Sequence, residues 1–258
     1  MFDRDTYISE SCVIEKELKY LFELGDSLVI FDIGSCEGED AIKYSNLFPN
    51  STIYAVEPLP INLPLLSNNI KKYSKENIHV LPLALSDKKG IAQFYVSSGH
   101  PDHISKNVDW DFGNKSSSLL PPDELKETHP WLEFNEIIEV ETDTLLNICN
   151  QRDIQVIDFI HLDVQGAELQ VLQGLGELLN NTKAIWMEVE AIPLYLNQSL
   201  KQDVEMFMKD KGFILVKDTV DKIAGDQLFI NEDKYITFKL RQLLFNLINI
   251  LRLKKSSH

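Results

Sequence analysis

An apolar run, Leu28-Val29-Ile30-Phe31, passes into Asp32-Ile33-Gly34, and a second glycine, Gly38, follows four residues later at the head of a helical pattern. A strand this apolar is buried on both faces, as central parallel strands of α/β sheets are. The two glycines allow a tight turn at its C-terminal end and let backbone come close to a ligand. A second run, Thr52-Ile53-Tyr54-Ala55-Val56, ends in Glu57, whose two carboxylate oxygens can accept both hydroxyls of a ribose. An ordinary strand-loop-helix corner without a ligand has the same outline.

The rest of the chain repeats this rhythm. Helices are expected over residues 11–24, 37–47, 61–74, 143–150, 167–179 and 199–211, and strands over 78–83, 91–97, 137–141, 156–162, 183–189 and 213–217. Asp226-Gln227-Leu228-Phe229-Ile230 reads as the last strand, and the short turn before it suits an antiparallel pair. Alternating strands and helices imply one domain built on a parallel sheet covered on both faces. Between 98 and 136 the rhythm fails: this stretch is rich in Ser, Pro, Gly, Asp and His, holds Trp110 and Trp131, and is too long for a simple connection. It reads as an insertion or lid.

Charge narrows the partners. The formal net charge of −15 over 258 residues argues against non-specific nucleic-acid binding, because a phosphate backbone would be repelled. Cys12, Cys36 and Cys149 match no metal spacing and read as reduced cysteines of a cytoplasmic protein. No apolar leader opens the chain, and no run approaches the ~20 apolar residues of a membrane span.

The block Ile157-Asp158-Phe159-Ile160-His161-Leu162-Asp163-Val164-Gln165-Gly166-Ala167-Glu168 followed by Leu169-Gln170-Val171-Leu172-Gln173-Gly174 is far more specific than a glycine turn. It resembles the FkbM-type S-adenosylmethionine-dependent methyltransferases, as do Asp32-Ile33-Gly34, Val56-Glu57-Pro58, Ala84-Leu85-Ser86-Asp87, Ser116-Ser117-Ser118-Leu119, Thr142-Asp143-Thr144-Leu145 and Met187-Glu188-Val189-Glu190. The likeness runs from about residue 28 to 231. It implies the class I (Rossmann-like) fold, a seven-stranded mostly parallel sheet with a reversed last strand, and S-adenosyl-L-methionine as cofactor. It also implies methyl transfer to a hydroxyl of a sugar, glycan or natural product. Two positions depart from the family pattern: Ser35 and Cys36 stand where the first loop usually has Ala-Asn, and His161 stands where members often carry lysine.

Under that resemblance, Asp32, Gly34, Cys36 and Gly38 form the cofactor loop, Glu57 the ribose clamp, Asp87 a partner for the adenine amine, and Ser117 a further cofactor contact. Asp87 has a plain alternative as a turn cap, and Glu168 as the cap of its own helix. Asp163, Glu188 and Glu190 are the candidates for receiving the acceptor's proton or orienting the acceptor. His161 shares the alternation phase of Asp163 and is read as a packing residue rather than a base. Acids at strand ends could hold magnesium, yet no set of ligands is defined, so no metal is expected. The rival readings are a non-catalytic binding protein retaining the fold and an NAD-dependent oxidoreductase. The latter fits Glu57 but leaves the block 163–168 without a purpose.

Residues 235–258 form an apolar helix with basic ends, expected to be buried on its own domain or a second subunit, or else to attach peripherally to an anionic membrane.

Overall fold

The computed structural model describes residues 3–105 and 109–255, with side chains described through Leu247. Met1 and Phe2, Lys106 to Val108 of the insertion and residues 256–258 lie outside the described residues, as do the side chains of Arg252, Lys254 and Lys255.

Two short helices, α1 (Arg4–Ser9) and α2 (Glu15–Leu21), come first. β1 (Val29–Ile33), α3 (Glu39–Leu47), β2 (Thr52–Val56), α4 (Asn62–Lys72) and β3 (Ile78–Leu81) then alternate. β4 (Ala84–Leu85) and β5 (Gly90–Gly99) lead into the insertion, which contains a 3-10 turn at Gly113–Ser116 and α5 (Leu125–Thr128). β6 (Leu132–Asp143), α6 (Leu145–Gln151), β7 (Ile157–Leu162), α7 (Glu168–Gln173) and β8 (Thr182–Glu190) resume the alternation. The chain continues through α8 (Lys201–Asp210), β9 (Phe213–Asp218), β10 (Ala224–Asn231) and α9 (Glu232–Lys255).

The main sheet has the order β3-β2-β1-β7-β8-β10-β9, with β10 antiparallel to both β8 and β9. This is the seven-stranded sheet with a reversed last strand that the sequence implies. Its strands send alternate side chains into two cores. Phe31, Ile33, Ile160, Leu162, Ile185 and Met187 face a core that includes residues of α6, α7 and α8. Ile30, Ile53, Phe159, Ala184 and Leu228 face a core that includes residues of α2, α3 and α9. Truncating one such side chain, Ile160→Ala for example, costs about 2–5 kcal/mol.

Several local features differ from the sequence reading, among them the helix expected over 167–179, of which α7 ends at Gln173 and a 3-10 turn follows at Gly176–Asn181. The expected helix over 11–24 is confined to α2, and residues 4–9 form a separate helix, capped by Asp3, whose carboxylate accepts from the Thr6 N–H at 2.9 Å. The expected strand over 78–83 stops at Leu81, and a separate short strand, β4, follows at Ala84–Leu85. The strands expected at 91–97 and 137–141 do not join the main sheet. They form a three-stranded sheet, β4-β6-β5, in which β5 is antiparallel to β6. One side of that pair stays open to solvent, with Ile91 and Ile137 both exposed. Period-two alternation identifies a half-buried strand but not its neighbour, so the second sheet carries no signal in the sequence.

Candidate functional site

Parallel pairing brings the C-terminal ends of β1, β2 and β7 to one edge of the sheet. β1 lies between β2 and β7, with Asp32 beside Ala55 on one side and His161 on the other. This is where the strand order reverses, the position at which open α/β sheets bind ligands. A cavity of about 240 Å³ opens there. Of the expected site residues, Asp32, Gly34, Cys36, Glu57, Ser117 and Asp163 line it. Gly38, Asp87, Glu188 and Glu190 do not.

The first loop is built for close approach. Gly34 has φ +85°, and a Cβ there would collide with the carbonyl oxygen of Asp163, so only glycine allows β1 and β7 to meet at this point. Cys36, at φ +48°, donates its backbone N–H to Glu57 at 2.8 Å. Glu57 also accepts from the Leu59 N–H at 2.8 Å and from Asn62 Nδ2, at the start of α4, at 3.3 Å, so three donors fix the carboxylate. Burial pushes its pKa up to about 7 despite those donors. Gly38, at φ +86°, instead starts α3 and passes close under Leu66.

Ala84, Leu85, Phe94 and Leu119 form an apolar wall of the cavity. Asp87 lies beyond it on an exposed turn, where Ser86 Oγ donates to it at 3.1 Å. Ser117 lines the cavity while its Oγ accepts from the Ser97 N–H at 3.0 Å.

At the end of β7, Asp163 Oδ1 accepts from Gln165 Nε2 at 2.7 Å. The other N–H of the same amide meets Glu188 Oε2 at 2.5 Å. The Tyr195 hydroxyl lies 2.8 Å from Gln165 Oε1 and 2.9 Å from the Ser116 carbonyl oxygen, sharing its one proton between them. Gln165 sits at φ +58°, a left-handed conformation that non-glycine residues avoid, and Ser118 Oγ holds its carbonyl oxygen at 2.7 Å. Glu168 accepts from the N–H groups of Val164 at 3.0 Å and Gly166 at 3.2 Å, closing the loop from inside. Its pKa is raised by burial to about 7.

Charge in this region is dominated by acids. His161 Nδ1 lies 2.8 Å from Asp32 Oδ1, and Asp32 Oδ2 accepts from Ser35 Oγ at 2.6 Å. Burial disfavours a charged imidazole, but the Asp32 hydrogen bond and the charges of Asp32, Asp40 and Asp163 outweigh it and carry the pKa to about 9. His161 is thus an ion-pair partner that lines the cavity rather than only a packing residue. Burial, with the negative charges of Asp163 and Glu190, drives Glu188 well above the usual carboxylate range. Burial and the charges of Glu168 and Asp163 push Glu190 up to about 9, and its Oε2 has no hydrogen-bond partner. Among the described residues, no group of three or more His, Cys, Asp or Glu side chains is arranged to hold a metal ion.

Several lining residues carry no sequence motif. Tyr7 of α1 donates to Asp40 at 3.0 Å and packs against Trp110 of the insertion, ring centroids 5.1 Å apart. Lys115 sits 4.2 Å over the Trp110 ring. Arg4, almost fully buried, pairs with Glu37, with Glu39 at 3.2 Å and with Asp109 of the insertion at 2.9 Å. Asn114 Nδ2 donates to Glu37 at 3.1 Å and to Asn62 at 2.9 Å. The first turns of the chain and the insertion thereby wall the cavity together. Trp110 belongs to that wall, whereas Trp131 lines a separate hollow beside His100 and His103. Only the charged and aromatic content of 98–136 hinted at this wall.

The family profile described as Methyltransferase FkbM domain matches residues 32–215. The 2-O-methyltransferase NoeI of Sinorhizobium fredii is 30% identical over 224 residues, covering 86% of this chain and 87% of that protein. The 31-O-demethyl-FK506 methyltransferase FkbM of Streptomyces tacrolimicus is 24% identical over 222 residues, 82% of each chain. Among solved structures, the methyltransferase FkbM from Methylobacillus flagellatus KT superposes with a TM-score of 0.51 at 14% identity. That likeness covers 88% of this chain and 50% of the solved one, and it shows the fold.

Proposed function

Since the chain belongs to the FkbM family of S-adenosylmethionine-dependent methyltransferases, we propose that it methylates a hydroxyl group of a sugar, glycan or related natural product. The observation that carries this reading is the convergence on one cavity of Gly34, Glu57 and Asp163 from the ends of three adjacent parallel strands. The O-methyl transfer named for two relatives supports the hydroxyl acceptor.

The residues suit the cofactor. Gly34 lines the cavity with backbone while packing against the Asp163 carbonyl, Glu57 presents a fixed carboxylate for a ribose, and Ala84, Leu85 and Leu119 offer an apolar border for an adenine. When bound, S-adenosylmethionine supplies a methyl group already activated on a sulfonium sulfur. Asp32 presents an acid to the cationic end of the cofactor. The protein's remaining tasks are to align the acceptor oxygen, exclude water and receive the hydroxyl proton.

Of the three candidate proton acceptors, Asp163 suits the role best, because it lines the cavity and is oriented by Gln165. Neither Glu188 nor Glu190 lines the cavity, and Glu190, pushed up to about 9, retains its proton near neutrality. We therefore assign Glu188 to orienting Gln165. Asp163→Asn should lower methyl transfer by ~10²–10⁴-fold while keeping affinity for S-adenosylhomocysteine within a few-fold. The assay uses labelled cofactor and a panel of hydroxylated metabolites and glycans. Near-parental transfer by the variant would reject the assignment.

The three cysteines are unpaired, which supports a reducing compartment such as the cytoplasm. Among the described residues no helix is long and apolar enough to cross a membrane.

A further inference from the structure

α9 has two dissimilar faces. On the inner face Phe238 is 2% exposed, and Tyr20 of α2 packs edge-on against Phe238 and Phe245 at centroid distances of 5.7 and 5.5 Å. Arg241 on this side donates to the Leu21 carbonyl oxygen at 3.2 Å and pairs with Glu23 at 3.4 Å. On the outer face Ile236, Leu240, Leu243, Leu244 and Leu247 follow one another at i, i+4, i+7, i+8 and i+11, which places them in a single stripe. They are 71, 63, 59, 59 and 58% exposed. Scattered apolar residues are normal on a surface, but five large aliphatic side chains in register are not. The expected burial on the domain is therefore achieved by the inner face alone.

We propose that this outer stripe binds the surface of an anionic phospholipid bilayer, with α9 lying in the interface. Residues 239–258 contain Lys239, Arg241, Arg252, Lys254 and Lys255 and no acid. Their five positive charges stand against −20 on residues 1–238, the whole chain having −15. A cationic segment of an acidic protein thus overlaps an exposed aliphatic stripe. Arg241 is engaged on the inner face, but Arg252, Lys254 and Lys255 follow the stripe at its C-terminal end, and cations next to an apolar helix face suit headgroups and acyl chains together. A second copy of the helix suits it less well, because Arg252, Lys254 and Lys255 at its C-terminal end outnumber the acids Glu232 and Asp233 at its N-terminal end, where Lys234 also stands. The acidic body does not forbid the contact. α9 continues about 12 Å past Leu247 at 1.5 Å per residue, and at physiological salt charges are largely screened beyond roughly 8 Å.

The test is flotation of the full chain with phosphatidylcholine vesicles, with and without phosphatidylglycerol, at low and high salt. The parent should float only with the anionic vesicles and be released by salt. Lys254→Glu/Lys255→Glu should weaken binding on the order of tenfold or more, given about fivefold for each basic side chain removed. Leu240→Glu/Leu243→Glu/Leu247→Glu should abolish flotation. All of these residues are remote from the cavity, so calorimetric affinity for S-adenosylhomocysteine should match the parent and confirm that each variant is folded. Equal flotation with neutral vesicles would overturn the proposal, as would no flotation at all. So would a dimer by light scattering that Leu243→Glu splits while vesicles bind nothing.

Discussion

Glu190→Gln should make the unliganded protein more stable at neutral pH. Glu190 is 1% exposed, its Oε2 has no partner, and burial beside Glu168 and Asp163 raises its pKa from 4.5 to about 9. An acid whose folded value lies above its unfolded value favours the folded state at low pH and loses that advantage as pH climbs through the interval between them. Here the loss begins near pH 4.5 and continues towards pH 9. Each pH unit in that window is worth about 1.4 kcal/mol, so at pH 7 the folded chain has lost about 3 kcal/mol by retaining a proton that the unfolded chain has released. Glutamine has nearly the same shape and no proton to retain. Urea unfolding at pH 4.5 should give parent and variant similar stabilities. At pH 7 the variant should lead by about 3 kcal/mol, or roughly 6–12 °C in Tm for a chain of this size. Methyl transfer should survive, since Glu190 does not line the cavity. Parallel pH curves for the two proteins would refute the reasoning, because they would mean that Glu190 ionises as readily folded as unfolded.

Glu57→Ala should weaken S-adenosylmethionine binding by roughly 1.5–3 kcal/mol, the range for hydrogen bonds to a charged group. Affinity within a factor of two of the parent, by calorimetry, would remove the ribose assignment. For His161, pH acts through the imidazolium: its folded value of about 9 exceeds the ordinary 6.5, so its contribution is complete below pH 6.5 and gone by pH 9. The parent should therefore lose stability across that window more steeply than His161→Gln, and equal slopes in pH-dependent unfolding would exclude the ion pair with Asp32. Gly34→Ala should unfold or severely destabilise the protein, because backbone of β1 and backbone beyond β7 share the space that a Cβ needs. A soluble variant with parental Tm by circular dichroism would show that the two strands part more easily than their packing indicates.

The parts of the fold written in continuous apolar runs were legible. β1, β2 and β7 each end in an acid or glycine at the same edge of the sheet, and local sequence alone marks those ends. Residues 78–85 were harder, since Leu83 turns back so that its N–H meets the Leu81 carbonyl oxygen at 3.0 Å and divides an apolar stretch into two strands of different sheets. The partner of His161 was hidden for a similar reason. Alternation puts His161 in phase with Asp163, but only the register of β1 against β7 sets it beside Asp32. Tyr7, Trp110, Asn114 and Lys115 carry no local signal because their place in the wall depends on contacts between segments about 100 residues apart. The face reached by Asp163, Glu188 and Gln165 was visible as residue types, whereas their division into one cavity acid and its supports required burial and hydrogen bonding.

Arg4 has a practical consequence for anyone choosing where to cut the chain. The family match begins at residue 32, which would suggest dispensing with everything before β1. Yet Arg4 joins Glu37 and Glu39 to Asp109, and Tyr7 lines the cavity. A trimmed protein would leave two buried glutamates without their guanidinium and open one side of the cavity to water, even if it expressed well. Expression boundaries drawn from homology alone would thus remove the part of the core that α1 and α2 supply and damage the site as well, and an inactive preparation could be mistaken for an inactive enzyme.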